Sequence, residues 1–201
     1  MDNTQSINWA NWPDRQLLTA IPTSDLRLPQ RSWWQWWYDS RLVNSVNKLG
    51  KDVQLFGKAK VLNQGHIQIG DHSILLSEYQ QLRLAVRQGG HLEIGKHCYI
   101  NSAILSANVR IQIGDYCKLG PFVHLMDSNF HDLQDRQKEG TSGEIIIGQG
   151  ARLGANVIVL QGTTIGEGAE VLPGSVVTKN IPAGACYGGV PARQVQLRRN
   201  G

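Results

Sequence analysis

Aliphatic residues recur at every sixth position near the end of the chain, at Ile147, Leu153, Val159, Ile165, Val171 and Val177. Neither a helix nor an ordinary strand has this period. A second column follows each of these by four residues and is small or apolar: Ala151, Val157, Thr163, Ala169, Ser175 and Ile181. Glycine and polar residues fill the space between the columns, as tight corners require. Six residues suit one short strand and a corner, so three such units make a triangular coil of about 18 residues, and stacked coils bury a shared core.

Five Ile-Gly pairs extend the pattern upstream: Ile69-Gly70, Ile94-Gly95, Ile113-Gly114, Ile147-Gly148 and Ile165-Gly166. The last two are 18 apart; the other spacings are 25, 19 and 34. Removing one regular coil of about 18 residues leaves excursions of about seven, one and 16. The largest falls in the polar stretch 127–143, which is predicted to be a loop thrown out of the coil. The pieces Gly65–His72 and Gly90–His97 resemble one another, so the solenoid is already running there. The prediction is an all-β chain with a hexapeptide-repeat β-helix over 51–182 and a closing tail over 183–201.

All six tryptophans lie before residue 38. Ser32-Trp33-Trp34-Gln35 has the capping-box form, and Trp34, Trp37, Tyr38, Val43, Val46 and Leu49 are spaced as one face of a helix stopped by Gly50. Residues 1–50 are therefore read as an extension bearing an amphipathic helix over about 32–49. A solenoid has an open apolar end, so this helix is expected to cap the first coil or to meet another subunit. Its tryptophans, with Arg31, Arg41 and Lys48 beside them, also suit peripheral contact with a membrane.

The net charge of +4 is mild and the basic residues form no long run. It hardly argues for nucleic acid and weakly favours an anionic small molecule. Three cysteines, Cys98, Cys117 and Cys186, cannot all pair, which suits a reducing compartment. Cys98 and Cys117 fall in the small inward column and are read as core. The start of the chain has no apolar stretch of signal-peptide type, and no run reaches the length of a membrane span, so a cytoplasmic protein is expected.

The segment from Ile145 to Val195 resembles the C-terminal half of the hexapeptide-repeat acyltransferases, above all their sugar O-acetyltransferase branch. GSVVTKNIP followed by GGVPAR carries this resemblance, which extends with weaker repeats over about 53–196. It implies a left-handed parallel β-helix acting as a homotrimer, with active sites between subunits, acetyl-CoA as donor and a saccharide as acceptor. It implies no metal. Periodicity alone does not give the hand, and the usual right-handed crossover would suggest the opposite.

Asp127-Ser128-Asn129-Phe130-His131 resembles the family's loop motif, which makes His131 the general base. A sugar hydroxyl is a poor nucleophile, and a neutral imidazole with pKa around 6.5 can take its proton as it attacks the thioester. Asp127 is the matched candidate to orient the imidazole, with Asp132 and Asp135 equally available by sequence. Asn129 in the motif, Asn101 and Arg136 are the candidate acceptor contacts, although Asn101 could equally be a polar corner residue, and Arg136, like Lys138, a solvated charge. Ala155 and Pro173 match positions whose backbones contact the pantetheine arm, but Pro173 lacks an N–H. Thr178, Lys179 and Arg193 match the part near the nucleotide end of CoA, where cations suit phosphates.

No P-loop, dinucleotide fingerprint or covalent-nucleophile motif appears, so direct transfer in a ternary complex is expected. Three other readings compete with sugar O-acetylation. They are N-acetylation of an amino sugar, a silent β-helical scaffold, and a zinc enzyme of the carbonic-anhydrase kind. The last would use the stacked pairs His66/His91 and His72/His97, though no third ligand is evident.

Overall fold

A computed structural model describes residues 42–129 and 140–195. Among the described residues twenty short strands form three sheets, and from β1 to β18 successive strands pass to successive sheets, which makes a triangular prism. Sheet A holds β1 (Lys48–Leu49), β4 (His66–Ile69), β7 (His91–Ile94), β10 (Arg110–Ile113), β13 (Ile145–Ile147) and β16 (Thr164–Ile165). Sheet B holds β2 (Gln54–Phe56), β5 (Ile74–Leu76), β8 (Tyr99–Asn101), β11 (Lys118–Leu119), β14 (Arg152–Leu153), β17 (Glu170–Val171), β19 (Cys186–Gly188) and β20 (Arg193–Gln194). Sheet C holds β3 (Lys60–Asn63), β6 (Arg83–Val86), β9 (Ile104–Ala107), β12 (His124–Met126), β15 (Ile158–Val159) and β18 (Val176–Val177). Pairing is parallel except for β19 with β20. The architecture is the left-handed parallel β-helix that the family resemblance implied.

Both inward columns read from the sequence are core. The six aliphatic positions from Ile147 to Val177 are at most 3% exposed, and Ala151, Val157, Thr163, Ala169, Ser175 and Ile181 are buried beside them. Cys98 and Cys117 are buried free thiols in that second column.

The Ile-Gly ladder has a steric cause. Each glycine sits against the corner of the next coil, where a side chain would strike backbone. A Cβ on Gly70 would lie 2.6 Å from the Gly95 carbonyl carbon; one on Gly148 would lie 2.5 Å from Glu167 N, and one on Gly166 2.4 Å from Ala183 N. Those atoms belong to parallel strands about 4.8 Å apart and cannot yield independently. Gly148→Ala is therefore expected to cost about 1–3 kcal/mol of overpacking. Its melting temperature should fall by several degrees while the far-ultraviolet spectrum stays that of the parent.

The irregular spacings come mainly from longer corners and from the loop. Strands β4, β7 and β10 have four residues and bury two each: Ile67 and Ile69, Leu92 and Ile94, Ile111 and Ile113. From β14 to β18 the strands have two residues and bury one. The excursion of about seven is not one loop; it divides between the corners 77–82 and 87–90, which hold six and four residues where the next coil has two at 102–103 and two at 108–109. The excursion at 127–143 is a true break, between β12 and β13.

Three boundaries differ from the sequence reading. Of the helix expected over 32–49, the described part is helical only at 42–45, and Lys48–Leu49 already pair with β4. Asn47 is the reason: its Oδ1 accepts from Ile67 N, and its own N–H donates to Ile67 O, which draws the chain into the sheet. The β-helix therefore begins before residue 51. At the other end β19 pairs with β17, so sheet B continues past residue 182 and the tail closes the prism only with the β19–β20 hairpin. The tryptophans lie outside the described residues.

Candidate functional site

Strand β12 ends at Met126, and the next residue turns the chain outward at the edge where sheet C meets sheet A. Asp127 is fully buried, and its carboxylate accepts three backbone N–H groups from the preceding coil. Oδ1 takes Asn108 N at 2.7 Å; Oδ2 takes Val109 N and Arg110 N, both at 2.8 Å. The carboxylate thus satisfies three donors of a corner that would otherwise lack partners.

The loop stem continues from this anchor. Ser128 bridges Ser142 in antiparallel fashion, Asn129 N donates to Thr141 O at 3.1 Å, and Gly143 N donates to Asp127 O at 2.9 Å. The Asn129 side chain donates to Thr141 Oγ1 at 3.3 Å, and Gln161 Nε2 reaches the same hydroxyl from the next coil at 2.8 Å. The residues that break the repeat thus form a short pinned hairpin stem.

His131 and Arg136, with Asp132, Asp135 and Lys138, lie outside the described residues. Asn129 is exposed on the stem. The Asp127 carboxylate is engaged by the Asn108–Arg110 corner and so anchors the stem. Asn101 is the last residue of β8. It is fully buried on sheet B, donates to Glu78 Oε2 at 2.9 Å and accepts from the Ser102 hydroxyl at 2.9 Å. It does not stand at the sheet C–sheet A edge where the loop leaves.

Ala155 and Pro173 occupy one corner in successive coils at the sheet B–sheet C edge, and Gly174 N donates to Ala155 O at 2.8 Å. Among the described residues no backbone carbonyl takes the Ala155 N–H. Arg193 begins β20 and is exposed; its guanidinium donates to Ala192 O at 2.9 Å, and Ala192 N bonds Val176 O, which folds this hairpin toward the same edge. Thr178 and Lys179 are exposed at the sheet C–sheet A edge below the loop. A single chain therefore places the loop and the Ala155–Pro173–Arg193 set on two edges with the width of sheet C between them.

The outer face of sheet C carries a residue that the sequence reading missed. Ile104, His124, Ile158 and Val176 are in register along one outward column, half-buried, with Ser106 and Met126 beside them. Burial pushes the His124 imidazole below its usual pKa, so the neutral ring is favoured. The signal was available as a histidine in an aliphatic outward column. Because the folded pKa is depressed, this contribution to stability is complete above the ordinary histidine value near 6.5 and is lost as pH falls through the folded pKa. Thermal melts from pH 8 to pH 5 should show a fall in melting temperature that His124→Leu makes shallower.

The stacked histidines do not form a metal centre. His72 and His97 stack with centroids 5.0 Å apart and planes 18° from parallel, and Tyr116 continues the stack at 4.9 Å. Lone pairs in nearly parallel planes at this spacing do not converge on one ion about 2.1 Å from each nitrogen. His66 and His91 are 5.8 Å apart, and among the described residues no group of three metal-ligating side chains occurs. No helix among the described residues is long and apolar enough to cross a membrane.

A triangular left-handed β-helix with one loop ejected at a corner defines the class: this chain has the fold of the hexapeptide-repeat acyltransferases. Within it, residues 144–179 match the bacterial transferase hexapeptide family (six repeats). No curated protein sequence matches the chain.

Solved structures share the fold at low identity. AntD, an N-acyltransferase from Bacillus cereus solved with dTDP and 3-hydroxybutyryl-CoA, is 22% identical over 80% of this chain and 88% of its own, with a TM-score of 0.66. A hexapeptide-repeat acetyltransferase of Vibrio cholerae with acetyl-CoA is 22% identical over 85% of this chain and 81% of its own, at 0.61. A maltose O-acetyltransferase from Clostridium difficile is 21% identical over 85% and 78%, at 0.56.

Proposed function

We propose that the protein transfers an acetyl group from acetyl-CoA to a hydroxyl of a saccharide, with His131 in the ejected loop as general base. The observation that carries this reading is the loop itself. A buried carboxylate and a hydrogen-bonded stem hold the two ends of the polar segment 127–143 together at a fixed edge of the β-helix. Such anchoring is what a base needs if it is to meet a second substrate in a defined geometry.

The separation of the loop from the Ala155–Pro173–Arg193 edge favours a homotrimer. The aliphatic outer face of sheet C, with Ile104, Ile158 and Val176, lies between the two edges and suits packing against another copy. Such packing would bring the loop of one subunit toward the donor edge of its neighbour. There the Ala155 N–H would donate to a pantetheine carbonyl, and Arg193, with Thr178 and Lys179 from the adjoining edge, would meet CoA phosphates. Pro173 offers no second N–H. Asn129 and Arg136 are the loop's candidates for acceptor hydroxyls. The location is the cytoplasm, where acetyl-CoA is available, with peripheral membrane contact through the tryptophan-rich segment as a further element of the proposal.

Direct transfer requires both substrates at once. His131 takes the hydroxyl proton, the oxygen attacks the thioester carbonyl, and the thiolate of CoA leaves and is reprotonated. The test is CoA release measured against a panel of saccharides: release should need the acceptor, and the product should lose acetate in mild alkali as an ester does. CoA release without stable acetylated product, or a stoichiometric acetyl-enzyme formed from acetyl-CoA alone, would overturn it. An alkali-stable product would establish the second reading, N-acylation of an amino sugar, which the likeness to AntD favours.

A further inference from the structure

The three edges of the prism differ in chemistry. The sheet A–sheet B edge is charged, with Asp52, Asp71, Lys96, Asp115 and Glu167. The sheet B–sheet C edge is mostly Gly, Ala, Pro and Ser beyond the 77–82 corner. The sheet C–sheet A edge repeats carboxamides, coil after coil: Asn63 and Gln64, Gln88, Asn108, Asn129, Gln161 and Asn180, interrupted by Arg87, Glu144 and Lys179. This is also the edge from which the loop leaves.

At its N-terminal end the edge opens into a cleft of about 310 Å³ lined by Asn44, Ser45, Val46, Asn47, Val61 and Asn63. That volume is at the lower end of ligand-binding pockets. The inner amides are locked in place: Asn63 Nδ2 donates to Asn47 Oδ1 at 2.8 Å and to Ser45 O at 3.1 Å, while Asn63 Oδ1 accepts from Gly65 N and Asn47 Oδ1 from Ile67 N. Asn44 is exposed at the rim. A carboxamide carries both donors and acceptors, and so does every sugar hydroxyl. With these bonds made, the cleft offers a ligand the Asn47 Nδ2 donors and the exposed Asn44 amide, and an uncharged, almost wholly polar lining of this kind suits a sugar ring better than a phosphate or a peptide carboxylate.

The cleft and the loop are three strand steps apart, from β3 through β6 and β9 to β12, or about 14 Å at about 4.8 Å per step. A monosaccharide would not span this distance; a chain of several sugars would. We propose that this edge is a track for a saccharide chain, held at its far end in the Asn44–Asn47–Asn63 cleft, so that the acceptor is an oligo- or polysaccharide. The inference rests on the reading of the acceptor as a saccharide and extends it to chain length.

The test uses an array of mono- to hexasaccharide fragments of bacterial surface glycans, probed with full-length His131→Ala protein. A companion carries Asn44→Ala and Gln88→Ala as well. Both added positions are exposed, and neither side chain is held by a bond that folding needs. Binding should strengthen about tenfold or more from disaccharide to hexasaccharide in at least one glycan series, and that gain should shrink about tenfold in the companion, the equivalent of one or two hydrogen bonds. Unchanged melting temperature in the companion would exclude misfolding as the cause. In the wild-type background, kcat/KM for hexasaccharide relative to monosaccharide should fall with the double substitution. Length-independent binding, a length gain that survives the double substitution, or no saccharide bound at all would each overturn the track. Length-dependent binding without CoA release by the wild type would instead overturn the transferase reading and leave the track standing.

Discussion

Replacing His131 with alanine is expected to lower the turnover of acceptor-dependent CoA release by about 10²–10⁴-fold, the usual contribution of a positioned general base. A saccharide hydroxyl holds its proton far too tightly to attack as an alkoxide at neutral pH. Without the imidazole, the proton must leave to water as the bond forms. The affinity for acetyl-CoA should change little, because the proposed donor contacts lie at Ala155, Arg193 and the Thr178–Lys179 corner. Melting temperature should also hold, since the core columns from Ile147 to Val177 do not depend on the loop. The decisive measurement is kcat with saturating acetyl-CoA beside a binding titration of CoA. Equal turnover in the two proteins would remove His131 as the base; a lost CoA affinity with kcat intact would move it to the donor site.

Asp127→Ala should act in the opposite manner, on the fold first and on the rate through it. The carboxylate satisfies the N–H groups of Asn108, Val109 and Arg110 and is itself fully buried. Its removal leaves three donors at a corner, and each unsatisfied buried donor costs about 1–3 kcal/mol where water cannot replace the partner. With partial replacement by water, a total near 3 kcal/mol is expected, or about 6–12 °C of melting temperature for a domain of this size. Asp127→Asn should recover part of the loss, because its amide oxygen can accept from Val109 N and Arg110 N while its N–H₂ faces the Asn108 N–H alone. Acceptor-dependent activity should fall in both variants even at temperatures where they are folded, since the stem at Ser128–Ser142 starts from this anchor. An Asp127→Asn protein with parental melting temperature and impaired turnover would restore the catalytic role first expected of this carboxylate.

Much of this architecture is local enough to be read along the chain. A coil that returns to the same column every three short strands must repeat its inward residues, so the hexapeptide period at 147–177 is a direct imprint of packing. The Ile-Gly pairs are equally direct, because the glycines sit where the next corner comes within 2.4–3.1 Å of a side chain's first atom. Upstream the imprint blurs. Four-residue sides bury two residues in place of one, so the six-residue count is lost even in the coil of 19, and the corners at 77–82 and 87–90 lengthen the coil before it to 25. The start of the β-helix was misplaced for a related reason: Leu49 fits a helical face as well as an inward strand position, and only the Asn47–Ile67 pairing decides between them.

The functional residues divide in the same way. The sequence by itself determined the repeat, the place where it breaks, the candidate base in that break and the buried character of Cys98 and Cys117, since each follows from spacing or from a motif in adjacent residues. Only the tertiary structure decided that Asp127 accepts from backbone donors of the coil before it and that Asn101 is bound to Glu78 in the 77–82 corner. The same holds for His124, which stands among aliphatic neighbours from β9, β15 and β18, and for the carboxamides of separate coils that fall on one edge. These are relations between residues some 20 positions apart that stacking makes neighbours. A linear pattern specifies which residue enters each column, but the partners across a column are set by the width of every coil between them, and those widths exist only once the strands have paired.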